Sequence, residues 1–242
     1  MQDHWGDGMK FGLLLPTYLN TAERINIARR SYESLLLTSV SLEEAPIEIH
    51  AVWTGDKSLE MMTPLHNTQK FLLRPWSQPK YIGGVDQAIC WCVERIIEAG
   101  KLTHIILIAD DMVYHRDWFF ETQEIIKRHP NALAWSTYRS AHTRHHRTVS
   151  RSGPDHLVTS LAGNGTCWSI EEWQAWGVKS SDGQRWPVPP EAGGGDTIDL
   201  HHAWKRPGER WVTDKSYMEH LGTTGVHCQP GVPEYAMNFA GE

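Results

Sequence analysis

The chain has 242 residues, a formal net charge of −6, 40% hydrophobic and 21% charged residues, and four cysteines. These values fit one soluble globular domain with a substantial core, and the net negative charge argues against a generic nucleic-acid coat protein. We find no run near the ~18 apolar residues of a membrane span, no signal-like segment and no disulfide-like cysteine density, so we expect a cytoplasmic protein.

Strand and helix patterns alternate along the first half of the chain. The predicted elements are a strand over Lys10–Pro16, a helix capped by Asn20 or Thr21 and running to Leu37, strands over Ile47–Trp53 and Phe71–Leu73, a helix over Val85–Ala99, a strand from Ile105 to Asp111, a helix from about Asp117 to Arg128, and a strand over Ala132–Tyr138. This alternation predicts an α/β fold with a doubly wound, mainly parallel sheet flanked by helices, whose ligand crevice lies at the carboxyl ends of the strands.

The pattern changes after Ser140. The predicted elements here are strands over Leu157–Leu161 and Thr166–Ser169, a short helix over Ile170–Trp176, a Pro/Gly-rich loop over Trp186–Gly195 and a helix over Asp196–Trp204. No internal repeat and no clear second domain is visible. We therefore expect a single domain over residues 1–242.

Two adjacent carboxylates, Asp110 and Asp111, follow the apolar run Ile105–Ala109. The run is typical of a strand buried on both faces, and acidic side chains at its end are costly unless something binds them. A divalent cation that itself holds a diphosphate explains both the position and the cost. The alternative is a strand followed by a solvated acidic turn.

Several segments, in this order, resemble the GT-A glycosyltransferases, most closely their family 2 type, over roughly residues 10–227. The segments are the strand and turn Gly12–Tyr18 with Asn20, the acidic segment Ile108–Trp118, the strand and helix Gly163–Gly177, the Gly195–Leu200 run and Met218–Gly222. The resemblance implies a GT-A-like fold, with a Rossmann-like nucleotide-sugar-binding half over residues 10–138 and an acceptor-side half over residues 139–242.

The resemblance also implies roles for single residues. Asp111 and His220 would hold Mn²⁺ or Mg²⁺, with Asp110 at the ribose or a metal-bound water. Asp196 would be the general base, with Asp199 orienting it or replacing it and Glu191 as a further alternative. A single base attacking in line implies inversion of the anomeric centre.

The donor would be a nucleotide sugar, most simply a UDP-sugar. The residues that we expect to contact it are Pro16, Thr17, Tyr18, Trp53, Asp56, Gln87 and Asp110. This sequence departs from the family pattern at Ala109, which replaces an acid of the metal motif, at Trp53, which stands where an Asp often contacts uracil, and at Gly195, which replaces a Glu.

A basic window without any acid covers residues 125–154. It predicts a polyanionic acceptor, and some viral glycosyltransferases modify 5-hydroxymethylpyrimidines in DNA after the base is flipped out. The predicted acceptor-binding residues are Arg139, Arg144, Arg147 and Trp168, with Trp168 covering the flipped base. If four arginines of the window each met a phosphate, the slope of log K against log salt would be about −3.6. A solvated basic face and a saccharide acceptor are the alternatives.

Other classes fit the sequence less well. A nucleotidyltransferase would carry a Gly-rich basic loop after the first strand, and a zinc hydrolase would carry better-spaced histidines than the adjacent pairs at 145–146 and 201–202. A non-catalytic sugar- or DNA-binding module is the alternative that is not an enzyme.

Overall fold

The structure is a computed structural model of the chain. It describes residues 8–19, 21–40, 47–54, 65, 68, 70–77, 85–141, 147–161, 163–176, 207–221 and 236–240. The strands are β1 Phe11–Tyr18, β2 Ile47–Thr54, β3 Phe71–Ser77, β4 His104–Leu107, β5 Met112–Tyr114, β6 Ala134–Ser136, β7 Thr148–Ser152, β8 Asp155–Val158, β9 Thr166–Ser169, β10 Arg210–Thr213 and β11 Met218–His220. The helices are α1 Ala22–Leu36, α2 Val85–Ala99, α3 Trp118–Arg128 and α4 Ile170–Trp176.

Among the residues that the structure describes, nine strands form one sheet in the order β3-β2-β1-β4-β9-β6-β10-β8-β7. The first four strands in this order pair in parallel, and β6 and β10 point the same way. Strand β9 runs antiparallel to both β4 and β6 and joins the two halves of the sheet. The predicted α/β fold with a mainly parallel sheet is confirmed.

Buried side chains cover both faces of the sheet. Leu13 and Leu15 of β1 belong to a cluster with Tyr32 of α1 and Trp118 of α3. Leu14, between them in the strand, belongs to a second cluster that includes Val93 of α2. Because successive strand residues point to opposite faces, an unbroken apolar run such as 11–15 is what a strand between two helical layers requires.

Most of the predicted elements in the first half are confirmed, some to the residue. Helix α1 begins after Thr21, whose Oγ1 accepts a hydrogen bond from the backbone N–H of Arg24 at 3.2 Å. Helix α2 ends before Gly100, which has φ +63°, the left-handed conformation that glycine adopts at helix ends. In the second half of the chain, helix α4 and strand β9 also have the predicted bounds.

The strand that was predicted to reach Asp111 is shorter than expected, and the place where it ends determines where the two acids lie. Strand β4 stops at Leu107, and the chain turns through Asp110 and Asp111 into β5. The Tyr114 hydroxyl donates to the Ala109 carbonyl at 2.8 Å and accepts from the Ala109 N–H at 3.0 Å. This contact turns the backbone out of the sheet before the two acids.

Four short strands, β5, β7, β10 and β11, were not predicted, and β6 and β8 are shorter than or shifted from the predicted ones. Among them, β11 pairs antiparallel with β5 in a separate two-stranded ribbon, with His220 opposite Met112. None of the helices that the structure describes is both long and apolar enough to cross a membrane.

Candidate active site

Asp110 and Asp111 lie at the carboxyl edge of the parallel strands, in the turn between β4 and β5. Asp110 is 3% exposed, and its carboxylate is held from two sides. The Thr17 hydroxyl, at the end of β1, donates to Oδ2 at 2.6 Å, and a guanidinium N–H of Arg24 on α1 donates to Oδ1. Asp110 is therefore fixed by two elements of the donor-side half, β1 and α1.

The Tyr32 hydroxyl extends this network, with its oxygen 3.3 Å from Thr17 Oγ1. Burial, and then the negative charge of Asp110, raise the pKa of Tyr32 well above its usual value. Tyr32 is therefore a neutral phenol at physiological pH, and its role at this position is hydrogen bonding rather than charge.

Asp111 has one occupied and one unoccupied carboxylate oxygen. Oδ2 accepts from Arg24 Nη1 at 3.0 Å and lies 3.5 Å from His220 Nε2. Oδ1 is buried and has no hydrogen-bond partner within the described part of the chain. Burial by itself raises the pKa of Asp111. The contacts with His220 and then Arg24 lower that pKa by more than burial raises it, so the pKa is about 2. The carboxyl is therefore ionised at neutral pH.

The two-stranded ribbon brings His220 to Asp111 from the far end of the sequence. Besides the β5–β11 pairing, the Leu221 N–H donates to the Asp111 carbonyl at 2.7 Å, and the His115 N–H donates to the Tyr217 carbonyl at 2.9 Å. His220 is itself 7% exposed at its side chain. The predicted pair of metal-binding residues is thus brought together by backbone hydrogen bonds.

These residues fit a divalent cation. A carboxylate and an imidazole are common ligands for Mn²⁺, and a buried carboxylate oxygen without a partner is costly unless a ligand satisfies it. Over the ranges that the structure describes, no group of three or more His, Cys, Asp or Glu side chains could hold a metal. Within the described ranges, a cation at this site would have two protein ligands, Asp111 and His220, and its other positions would be open to oxygens of substrate or water.

The predicted donor-contacting residues are described in part. Thr17 of β1 stands opposite Trp53 of β2 in the parallel register, and Pro16 stands opposite Val52, so these backbones are neighbours at the sheet edge next to Asp110. The side chains of Tyr18, Trp53 and Gln87 lie outside the described residues, as does Asp56. The predicted general base Asp196, its partner Asp199 and the alternative Glu191 also lie outside them.

The predicted acceptor residues do not form one surface. Arg139 is 6% exposed, and its guanidinium pairs with Asp214 at 2.9 Å. Trp168 is 1% exposed and packs edge-on against Trp173. Arg147 is exposed, and Arg144 lies outside the described residues. In this structure Arg139 and Trp168 are internal side chains rather than surface contacts.

Sequence reasoning missed Arg24, which contacts both acids. One signal was available: Arg24 is the third residue of α1, and a positive charge in the first turn is disfavoured by the helix dipole. Nothing local in the sequence names its partners, because they lie 86 and 87 residues further along.

The sheet, its flanking helices and the acidic turn at its carboxyl edge have the architecture of a GT-A-like glycosyltransferase fold. The chain is similar to S. aureus TarS 1–349 in complex with UDP-GlcNAc, with a TM-score of 0.63 and 14% identity over 91% of this chain and 60% of that one. The same TarS fragment in complex with UDP gives a TM-score of 0.57 and 13% identity, covering 87% of this chain and 60% of that one. A longer S. aureus TarS structure gives 0.60 and 13%, covering 89% of this chain and 37% of that one.

This likeness, at low identity, establishes the fold. The chain spans 60% of the length of the TarS fragments that it matches. No family model and no curated protein matches the chain.

Proposed function

We propose that this protein is a glycosyltransferase that uses a nucleotide sugar, with a UDP-sugar as donor and Mn²⁺ or Mg²⁺ as cofactor. The observation that carries the proposal is the Asp111–His220 pair, with its unsatisfied buried oxygen, at the carboxyl edge of a GT-A-like sheet. The fold neighbour TarS has been solved with UDP-GlcNAc and with UDP, which supports a UDP-sugar donor.

A divalent cation bound by Asp111 and His220 would neutralise the charge that grows on the leaving diphosphate. The protein's own residues would hold the rest of the donor. Asp110, oriented by Thr17 and Arg24, has a carboxylate fixed for accepting hydrogen bonds from a ribose. The nucleoside would be bound by residues from two adjacent strand ends, namely Pro16, Thr17, Tyr18 and Trp53. Asp56 and Gln87 would complete this set.

We assign the general base to Asp196, oriented by Asp199. The base would take the proton of the acceptor hydroxyl as that oxygen bonds to the anomeric carbon and the nucleoside diphosphate leaves with the electron pair of the broken bond. Attack from the side opposite the leaving group inverts the anomeric centre. Asp199 is the alternative base.

For the acceptor, the first class to test is 5-hydroxymethylpyrimidine in duplex DNA, and a saccharide is the second. The observation that favours DNA is the exposed strand β7, which carries Arg151 and follows the exposed Arg147. Two such phosphate contacts give a slope of log K against log salt of about −1.8, half of that expected from four. No shift of hydroxymethylated duplex in a gel assay at low salt would exclude this acceptor.

The activity is tested by incubating the protein and Mn²⁺ with a panel of UDP-sugars, with and without modified DNA and simple glycosides, and identifying the products by mass spectrometry. Asp111→Asn should lower transfer or donor hydrolysis by about a hundredfold or more, since changing even a residue that only orients a metal ligand costs about 10–100-fold.

The matched control is Asp117→Asn. The Asp117 carboxylate is 43% exposed, so this substitution should leave the rate unchanged. Binding of UDP and Mn²⁺ without turnover of any donor would favour a non-catalytic binding module. Equal rates for Asp111→Asn and the native chain would refute the proposed site.

A further inference from the structure

Arg24 has a position that the fold alone does not favour. It sits in the first turn of α1, where the helix dipole is positive, and its side chain is 22% exposed. Its guanidinium spans the two acids, with Nη1 at 3.0 Å from Asp111 Oδ2 and Nη2 on Asp110 Oδ1. The protein thus already places a cation of its own beside the pair of carboxylates.

With Arg24 in place, the two carboxylates differ in their hydrogen bonding. Asp110 already accepts one hydrogen bond on each carboxylate oxygen, from Thr17 and Arg24, and it is 3% exposed. Asp111 keeps one buried oxygen, Oδ1, that accepts no hydrogen bond from any described residue. With His220 counted as neutral, two carboxylates and one guanidinium leave a net charge of only about −1 for a divalent cation to meet.

We propose that Arg24 couples the two binding events at this site: it lowers the affinity for the divalent cation alone and raises the affinity for the cation together with a nucleoside diphosphate. The inference rests on the proposed function and names the residue that controls the order of filling of the same site. Arg24 is then a donor-binding residue, whose guanidinium contacts the diphosphate.

The sign of each effect follows from charge. A guanidinium and a divalent cation held by the same carboxylate repel, and at ~6 Å with the screening of water this repulsion lowers the cation's affinity about tenfold. A diphosphate reverses the effect, because it is attracted to both positive groups. A guanidinium has five N–H donors in a planar fork that matches phosphate, and Arg24 uses two of its side-chain N–H groups in the described contacts.

The test measures Mn²⁺ binding by electron paramagnetic resonance of free Mn²⁺, with and without UDP, and UDP binding by calorimetry. Arg24→Gln should bind Mn²⁺ alone about tenfold more tightly than the native protein. The same variant should bind UDP in saturating Mn²⁺ about tenfold more weakly, because a charge-assisted hydrogen bond is lost. Arg24→Lys keeps the charge and should leave the Mn²⁺ affinity near the native value.

A second comparison measures the effect of Arg24 on Mn²⁺ affinity in a background where Asp110 is already neutral. Removal of Arg24 then leaves no unpaired charge at Asp110. Asp110→Asn keeps the contact with Thr17 and should bind Mn²⁺ alone more weakly than the native protein. Adding Arg24→Gln to Asp110→Asn should restore the affinity about tenfold, because it restores the net charge at Asp111. This comparison holds even if Arg24→Gln alone does not fold.

The outcomes separate the two proposals. If the native chain binds UDP and Mn²⁺ but removal of Arg24 weakens Mn²⁺ binding or leaves it unchanged in both backgrounds, Arg24 is a structural support and the coupling inference is wrong. If the native chain binds neither UDP nor Mn²⁺, the proposed function fails, and the inference fails with it. Tighter Mn²⁺ binding together with weaker UDP binding supports both.

Discussion

His104, the first residue of β4, should make the protein less stable as the pH falls from neutral to mildly acidic values. Its ring is 5% exposed, stacks on Phe11 with centroids 5.2 Å apart and lies 5.9 Å from the ring of Trp135. Burial lowers the pKa of His104 from 6.5 to about 4. The folded protein therefore keeps the ring neutral over a range in which the unfolded chain binds a proton.

The sign follows from which state binds the proton first. Above pH 6.5 His104 is neutral in both the folded and the unfolded state, and the full stability is present. Between pH 6.5 and about 4 only the unfolded chain gains a proton at His104, so the free energy of unfolding falls. Below about 4 the residue is protonated in both states, and the loss stops. At about 1.4 kcal/mol per pH unit, going from pH ~7.5 to ~4.5 costs ~2.5 kcal/mol from this residue alone.

The measurement is urea denaturation of the native chain and of His104→Phe at several pH values in that range. The variant keeps an aromatic ring but cannot titrate, and it loses the contact of His104 Nδ1 with the Thr103 hydroxyl at 2.9 Å at every pH. Contributions from other groups, including His50, whose pKa burial also lowers, are shared and cancel in the difference. A free-energy difference between the two proteins that stays constant within about 0.5 kcal/mol would refute the reasoning.

Two further predictions concern stability, measured by urea denaturation at neutral pH. Gly165 has φ +73°, and a Cβ there would lie 2.7 Å from the Met218 sulfur, so Gly165→Ala should cost about 3 kcal/mol, from strain and overpacking together. Its control is Gly153→Ala, at φ +58° with nothing within 4 Å, which should cost only about 1 kcal/mol; equal losses would contradict the steric argument. Asp155 is fully buried, and Arg128 Nε and Nη2 donate to it at 2.6 and 2.9 Å. Asp155→Asn should cost about 3 kcal/mol, and a loss below ~1 kcal/mol would show that the pair contributes little.

Local pattern was sufficient where an element is long and its contacts are close in sequence. The apolar faces of α1 and α2, with Thr21 at one end and Gly100 at another, define those helices within a residue or two. The strands that pattern missed have three to five residues, and two of them, β5 and β11, exist because they pair with each other from about a hundred residues apart. No periodicity can be read from three residues, so the pairing that forms the ribbon had no local signal.

The site divides in the same way. Asp111 was predicted to bind a cation from its place after an apolar run, and a resemblance of short motifs added His220. The ribbon brings the two side chains together, and their role stays a prediction. Arg139 was assigned to a basic surface by charge counting, but counting cannot see that Arg139 is buried and pairs with Asp214, 75 residues later. Arg24 was missed for the converse reason, since a lone arginine on a helix is an ordinary surface residue until its carboxylate partners are known.

The candidate cation site depends on the short ribbon of β5 and β11, a two-stranded sheet of low intrinsic stability. Two three-residue strands have few ladder bonds, and ribbons of this size are marginal by themselves. Opening of the last bond, from the Leu221 amide to the Asp111 carbonyl, would carry His220 away from its carboxylate without disturbing the nine-stranded sheet. The exchange rate of that single amide therefore reports how often the site comes apart while the rest of the protein stays folded.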